Sequence, residues 1–180
     1  LETHPFGNKH VNHQEILVLE SGGSTGKIHY SATDWHSDVT YREKPPMGSI
    51  LRGVVVPKVG GDTCFADAVE AHNRLDSETK KAVSELTATH DWFKKNHQVL
   101  NKSDIDSTRK KYPLVSHPVI RKHPETGEKA IFTNNFFTAY IDGVAENKSN
   151  MLLRRLENAI RDPSIQIRVR WDETTVVLWD

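Results

Sequence analysis

Ile165-Gln166-Ile167-Arg168-Val169-Arg170-Trp171 alternates apolar with polar or charged side chains over seven residues, the period-2 pattern of a half-buried β-strand. Shortly after it, Thr175-Val176-Val177-Leu178-Trp179 begins another strand. Working back along the chain, residues 117–134 (HPVIRKHPETGEKAIFTN) place two short β-rich runs on either side of Pro124-Glu125-Thr126-Gly127, a hairpin in outline. Residues 51–57 (LRGVVVP) read as a buried strand, Gly60-Gly61-Asp62 as a tight turn, and Thr63-Cys64-Phe65 as the start of a further short strand. Residues 16–19 (ILVL) form a short aliphatic run, and the glycine-rich stretch after it predicts a loop over residues 21–33.

Helical patterns lie between these runs. One begins after Ala66, and a second follows an N-cap at Asp76 or Ser77 and runs through ETKKAVSELTATHDW, with Ala82, Val83 and Leu86 on one face. A charged helix is expected over residues 148–161, with Met151, Leu152, Leu156 and Ile160 at helical spacing. Residues 94–113 are polar, with helix-like pieces and no strong apolar stripe, and read as an insertion or lid. Short strands separated by turns, with helices inserted, favour an antiparallel β core over a doubly wound sheet. Neither G-x-G-x-x-G nor G-x-x-x-x-G-K-[ST] occurs, so the nucleotide-binding fingerprints are missing.

The chain has 180 residues with 24 basic and 24 acidic side chains, which suits one domain over residues 1–180. Zero net charge and no basic run longer than Arg109-Lys110-Lys111 argue against a nucleic-acid partner. Nothing approaches the roughly 18–20 apolar residues of a membrane span. The single Cys64 excludes an internal disulfide and fits a reducing, cytoplasmic setting; beside Phe65 it reads as strand packing.

Ten histidines in 180 residues is a high share, and His36-Ser37-Asp38 is the main chemical signal. In an extended segment residues i and i+2 face the same side, so an imidazole and a carboxylate emerge together. With one further His they make the 2-His-1-carboxylate facial triad of Fe(II) oxygenases. The bland alternative is a histidine hydrogen-bonded to a nearby carboxylate. A metal hydrolase built on the same pair is a further possibility.

Trp35-His36-Ser37-Asp38-Val39-Thr40-Tyr41, then Pro45-Pro46-Met47-Gly48-Ser49-Ile50-Leu51 and Gly60-Gly61-Asp62-Thr63, resemble three blocks of the taurine dioxygenase (TauD/TfdA) family of Fe(II)- and 2-oxoglutarate-dependent dioxygenases. His90-Asp91-Trp92, His117-Pro118-Val119-Ile120-Arg121 with His123-Pro124-Glu125-Thr126-Gly127, and Trp179-Asp180 resemble further blocks in the same order. The resemblance covers nearly the whole chain. It implies a double-stranded β-helix (jelly-roll) core with helices on one side. It also implies an enzyme that hydroxylates a small organic substrate (a sulfonate, sulfate ester or carboxylate) with O₂, releasing succinate and CO₂ from 2-oxoglutarate.

By the same resemblance His36 and Asp38 are iron ligands, and the third, a His, is expected about six positions past Asp180. A 2-oxoglutarate-binding Arg is expected beyond it, so the chain as written reads as incomplete at both ends. Thr63 matches the threonine that holds a 2-oxoglutarate carboxylate. His4 falls at a substrate-binding histidine, and Trp92 and Phe137 at aromatic walls of the substrate pocket. His117 and His123 are expected to make structural hydrogen bonds. Ala32 stands where taurine dioxygenase has a polar substrate contact, so the resemblance does not fix a sulfonate. The competing class is a non-catalytic jelly-roll member lacking the third ligand. A homo-oligomer is compatible with the family.

Overall fold

The computed structural model describes residues 8–20, 34–96 and 102–180. The chain divides into two compact units, Leu1–Thr33 and Asp34–Asp180. In the first, β1 (Asn8–His10) and β2 (His13–Val18) form an antiparallel hairpin whose tight turn stacks His10 on His13 at 5.4 Å. The loop expected over residues 21–33 and the candidate substrate ligand His4 lie outside the described residues.

The second unit is built from short antiparallel strands with helices between them. β3 (Ser49–Arg52) is followed by β4 (Thr63–Ala66), α1 (Ala68–Arg74), α2 (Ser77–Val83) and β5 (Thr87–His90). Then come α3 (Phe93–Asn96), α4 (Lys102–Lys111), β6 (Val115–Pro118), β7 (Ile120–Lys122), β8 (Lys129–Ile131) and β9 (Thr138–Ile141). α5 (Glu146–Ile160), a 3-10 turn at Pro163–Ile165, β10 (Gln166–Val169) and β11 (Val176–Trp179) complete it. β10 pairs with β4, β11 with β3, and β7 with β8; β5 lies between β6 and β9, and every pairing is antiparallel.

Side-chain chemistry explains the local choices. Asp67 and Asp76 cap α1 and α2 by accepting from backbone N–H groups of the first turn. The hairpin expected around residues 124–127 forms as β7–β8, and Gly127 adopts φ +75°, where a Cβ would be strained. α5 buries Leu152 and Leu156 against Ala71, Val83, Ala88, Val119, Ile131 and Ile141, the main core. Met151, expected on that apolar stripe, is 43% exposed.

Two stretches depart from their sequence reading. Residues 87–90 were expected to continue a helix and instead form β5. The two β-branched threonines suit a strand, and Thr87 and Thr89 both donate to Asp142 while Ala88 and His90 are fully buried on the other face. Ser116 of β6 also donates to Asp142, so one carboxylate ties β5 and β6 to the end of β9. Burial pushes the Asp142 carboxyl up, but these hydroxyl donors outweigh it and hold the pKa below the usual carboxylate value. The second departure is residues 51–57, where only β3 is a strand. Its partner β11 begins at Val176, and Gly53, whose N–H reaches Thr175 O at 2.9 Å, ends the pairing. Beyond it Val54 and Val55 are 68% and 89% exposed, so this is no buried strand.

Of the segment read as an insertion, α3 and α4 are described. Arg109 of α4 makes a bidentate pair with Asp91 (2.8 and 3.1 Å) and lies 4.2 Å over the Phe93 ring, anchoring the helix beside α3. No helix among the described residues is long and apolar enough to cross a membrane.

Candidate functional site

His36 and Asp38 lie in an irregular loop rather than a strand, yet their side chains converge. His36 Nε2 stands 3.6 Å from Asp38 Oδ1. The outer atoms of both groups are held. His36 Nδ1–H donates to the Asp34 carbonyl at 2.9 Å, which leaves the Nε2 lone pair facing Asp38 in the neutral ring. Ser49 Oγ donates to Asp38 Oδ2 at 2.6 Å. The Asp38 contact raises the His36 pKa against the opposing effect of burial.

The loop is locked on both sides. Upstream, Asp34 accepts from Lys95 of α3 at 2.7 Å, which lowers its pKa, and Arg161 stands 3.8 Å away. Downstream, Val39 adopts φ +53°, a left-handed conformation that is an outlier for a β-branched residue and costs about 1–3 kcal/mol. Buried neighbours hold it there. Thr40 is fully buried, and its hydroxyl meets His90 Nδ1 at 2.9 Å and Asn134 Nδ2 at 3.2 Å. His117 Nε2–H is shared between the Thr40 and Arg42 carbonyls, both at 2.9 Å. His90 Nε2 is 3.3 Å from the Thr138 hydroxyl, so both ring nitrogens of a buried imidazole are satisfied, and desolvation drives its pKa down to about 3. Burial together with the nearby Lys95 also lowers the pKa of Lys94, whose Nζ donates to Thr138 O at 2.6 Å.

The remaining candidates are distributed as follows. Thr63 opens β4, and its hydroxyl accepts from Trp171 Nε1 at 2.9 Å. Trp92 is buried beside Phe93 and Tyr112, with centroids 5.0 and 6.3 Å away. Phe137 is buried against Tyr41 and Phe136; Phe136 is the ring that packs on His36, at 5.2 Å. Phe136 and Ser49 are contacts that sequence reasoning missed. Phe136 had a signal, since it adjoins Phe137 in a paired aromatic; Ser49 had none. His123 receives the Glu125 and Thr126 N–H groups on Nδ1, so Nε2–H donates to Asp180 Oδ2 at 2.9 Å. Cys64 is half-buried within β4.

Chemically, a neutral imidazole nitrogen and a carboxylate oxygen side by side are two donors suited to a divalent cation of intermediate softness. Adjacent ligands on metal bonds of about 2.1 Å sit roughly 3 Å apart, so 3.6 Å asks for only a small closing movement. Among the described residues, no group of three His, Cys, Asp or Glu side chains is placed to hold a metal.

A family model described as "Taurine catabolism dioxygenase TauD, TfdA family" matches residues 1–180. An alkylsulfatase of Acinetobacter baylyi is 32% identical over 156 residues, 83% of this chain and 49% of that protein. A taurine dioxygenase of known structure from Burkholderia xenovorans superposes with a TM-score of 0.70 at 31% identity, covering 84% of this chain and 52% of that one. AAD-2, solved in complex with Mn(II) and N-oxalylglycine, gives a TM-score of 0.73 at 27% identity over 81% of this chain and 57% of its own. The chain spans about half the length of these relatives. The likeness bears out the jelly-roll expectation.

Proposed function

The chain belongs to the TauD/TfdA family of dioxygenases, and from that premise we propose that it supplies part of the active site of an Fe(II)- and 2-oxoglutarate-dependent dioxygenase, with His36 and Asp38 as two metal ligands. The observation that carries this reading is the convergence of His36 Nε2 and Asp38 Oδ1 at 3.6 Å, each group fixed from behind by a partner that leaves the facing atom in place. The Mn(II) of AAD-2 supports a divalent metal in this fold.

When bound, the iron supplies dioxygen activation coupled to decarboxylation of 2-oxoglutarate, giving succinate, CO₂ and a hydroxylated substrate. The chain's own residues bind, orient and exclude water. His36, pinned through Nδ1, presents its lone pair in one direction, and Asp38 offsets cationic charge. Phe136 packs against the imidazole, and Phe137, which packs on Phe136, and Trp92 are retained as proposed aromatic walls of the substrate pocket. Thr63 is proposed to donate its hydroxyl hydrogen to a carboxylate of 2-oxoglutarate, a role compatible with its accepting the Trp171 N–H because a hydroxyl does both. His4 is retained as a proposed substrate contact. We read residues 1–180 as belonging to one catalytic domain, with a lid or insertion at about 94–113. The lone Cys64 suits the reducing cytoplasm.

Sulfate esters, sulfonates and aryloxy acids form the proposed substrate range, since the chain is similar to the alkylsulfatase and the taurine dioxygenase above and to a 2,4-dichlorophenoxyacetate dioxygenase of Burkholderia sp.. The test measures succinate release from 2-oxoglutarate with each class, alongside Fe(II) and Mn(II) binding, for the protein and its His36→Ala and Asp38→Ala variants. Loss of both metal binding and turnover in each variant is expected. Full activity in both variants at saturating iron would sink the assignment.

A further inference from the structure

We propose that Ser49 is a positioning residue for the metal-binding carboxylate: by donating to Asp38 Oδ2 it fixes the group so that Oδ1 is the oxygen presented beside His36 Nε2. The inference rests on the proposed reading of His36 and Asp38 as metal ligands and deepens it. At 2.6 Å the contact falls in the range of charge-assisted O–H···O⁻ bonds, which are shorter and about twice as strong as neutral ones. The two carboxylate oxygens therefore face different tasks. One is held by a hydroxyl from the scaffold, and the other stands 3.6 Å from the imidazole.

What makes Ser49 more than a passing partner is where the fold puts it. Asp38 sits in an irregular loop, whereas Ser49 is the first residue of β3, hydrogen-bonded in register with Trp179 of β11. A functional group held by a regular strand is placed more exactly than one held by a loop. Gly48 fixes the approach from the other side: a Cβ there would lie 2.6 Å from Trp179 O, so β3 and β11 run closer together than any side chain at position 48 allows. Trp179 packs on Phe65 of β4 with ring centroids 5.1 Å apart, joining this strand pair to the neighbouring one. The position of the hydroxyl is thus set by a sheet, and the carboxylate takes its orientation from it.

The chemical consequence concerns denticity. A carboxylate free to swing exchanges between one-oxygen and two-oxygen binding, while one tied through Oδ2 is held ready to bind through Oδ1 alone. A facial triad works by keeping three positions open, so a chelating carboxylate would remove one of them. Ser49 protects that vacancy, and it also lowers the entropy lost when the carboxylate is ordered on the metal.

The test compares the full-chain protein with Ser49→Ala, which deletes the donor, and Ser49→Thr, which retains a hydroxyl on a β-branched residue suited to a strand. Mn(II) affinity is read from the free-ion signal in electron paramagnetic resonance, and Co(II) coordination from visible absorption, with His36→Ala and Asp38→Ala as controls. Outer-shell partners of metal ligands are typically worth about 10–100-fold in affinity. Ser49→Ala is therefore expected to weaken Mn(II) binding by about tenfold or more and to change the Co(II) band intensities, with Ser49→Thr restoring both. A Ser49→Ala protein that binds Mn(II) like the parent, with an unchanged Co(II) spectrum, overturns the inference while Asp38→Ala still fails to bind. If His36→Ala and Asp38→Ala themselves bind Mn(II) normally, the underlying functional reading fails instead. Should Ser49→Ala unfold, Ser49→Thr decides alone: parental affinity and spectrum support the hydroxyl's role, and loss of either opposes it.

Discussion

Replacing His90 with Gln removes a titrating group from the centre of the second unit, and the effect on acid stability follows from its surroundings. The imidazole has no exposed surface, and desolvation lowers its pKa from 6.5 to about 3. Between those values the unfolded chain binds a proton that the folded chain refuses. Stability therefore falls as pH is lowered through this window, and the contribution is fully present only above about pH 6.5. From pH 8 to pH 5 the unfolded form gains about 1.5 pH units of proton binding that the native form does not, which is about 2 kcal/mol of lost stability. His90→Gln lacks this proton and is expected to lose that much less over the same interval, even if it starts lower because the Thr40 and Thr138 hydroxyls have been re-partnered. Urea unfolding at pH 8, 7, 6 and 5 gives ΔG for each protein by linear extrapolation. Other titrating groups are common to both and cancel in the difference. Parallel pH profiles would refute the argument, because they would mean that His90 is as easily protonated in the fold as out of it.

Thr63→Val leaves the Trp171 N–H without its acceptor and is expected to cost about 1–3 kcal/mol of stability; if the proposed cosubstrate role holds, 2-oxoglutarate binding weakens as well, and an unchanged cosubstrate titration would leave Thr63 as a strand residue only. Gly48→Ala forces a methyl to 2.6 Å from Trp179 O, and overpacking of this kind costs about 1–3 kcal/mol; an unshifted urea midpoint would contradict the close approach of β3 and β11. For Asp91 and Arg109, a double-mutant cycle to Ala is expected to give a coupling of about 1 kcal/mol, at the upper end for a solvent-accessible pair because the contact is bidentate; additive losses would mean that α4 is held by the Arg109–Phe93 stack instead.

The legible parts of the fold were those whose signal is local. The β7–β8 hairpin carries its turn residues within the hairpin, α5 carries Leu152 and Leu156 at helical spacing, and Asp76 announces α2. β5 was hidden because Thr87 and Thr89 take their meaning from Asp142, far along the chain, and residues 54–55 looked like strand because valine favours strands whether or not a partner is present. The candidate site divides in the same way. His36 and Asp38 were visible as a spaced pair within a set of ordered blocks. Ser49, Phe136 and the left-handed backbone at Val39 were not, since each is defined by what another segment brings to it.

The carboxylate of Asp142 also bears on the order in which the chain folds. Its hydroxyl partners lie 55, 53 and 26 residues away along the chain, and closing such loops carries an entropy cost that grows with their length. The β7–β8 hairpin and α5 close short loops and are able to form early. β5, β6 and β9 reach their common register only when the ends of that long span meet, and a slip of one residue would turn the threonines away from Asp142. The carboxylate therefore acts as a late proofreading contact: Asp142→Asn is expected to speed unfolding while leaving the folding rate nearly unchanged, the signature of an interaction made after the transition state. A chevron plot in which the folding limb drops instead would place this junction at the start of folding.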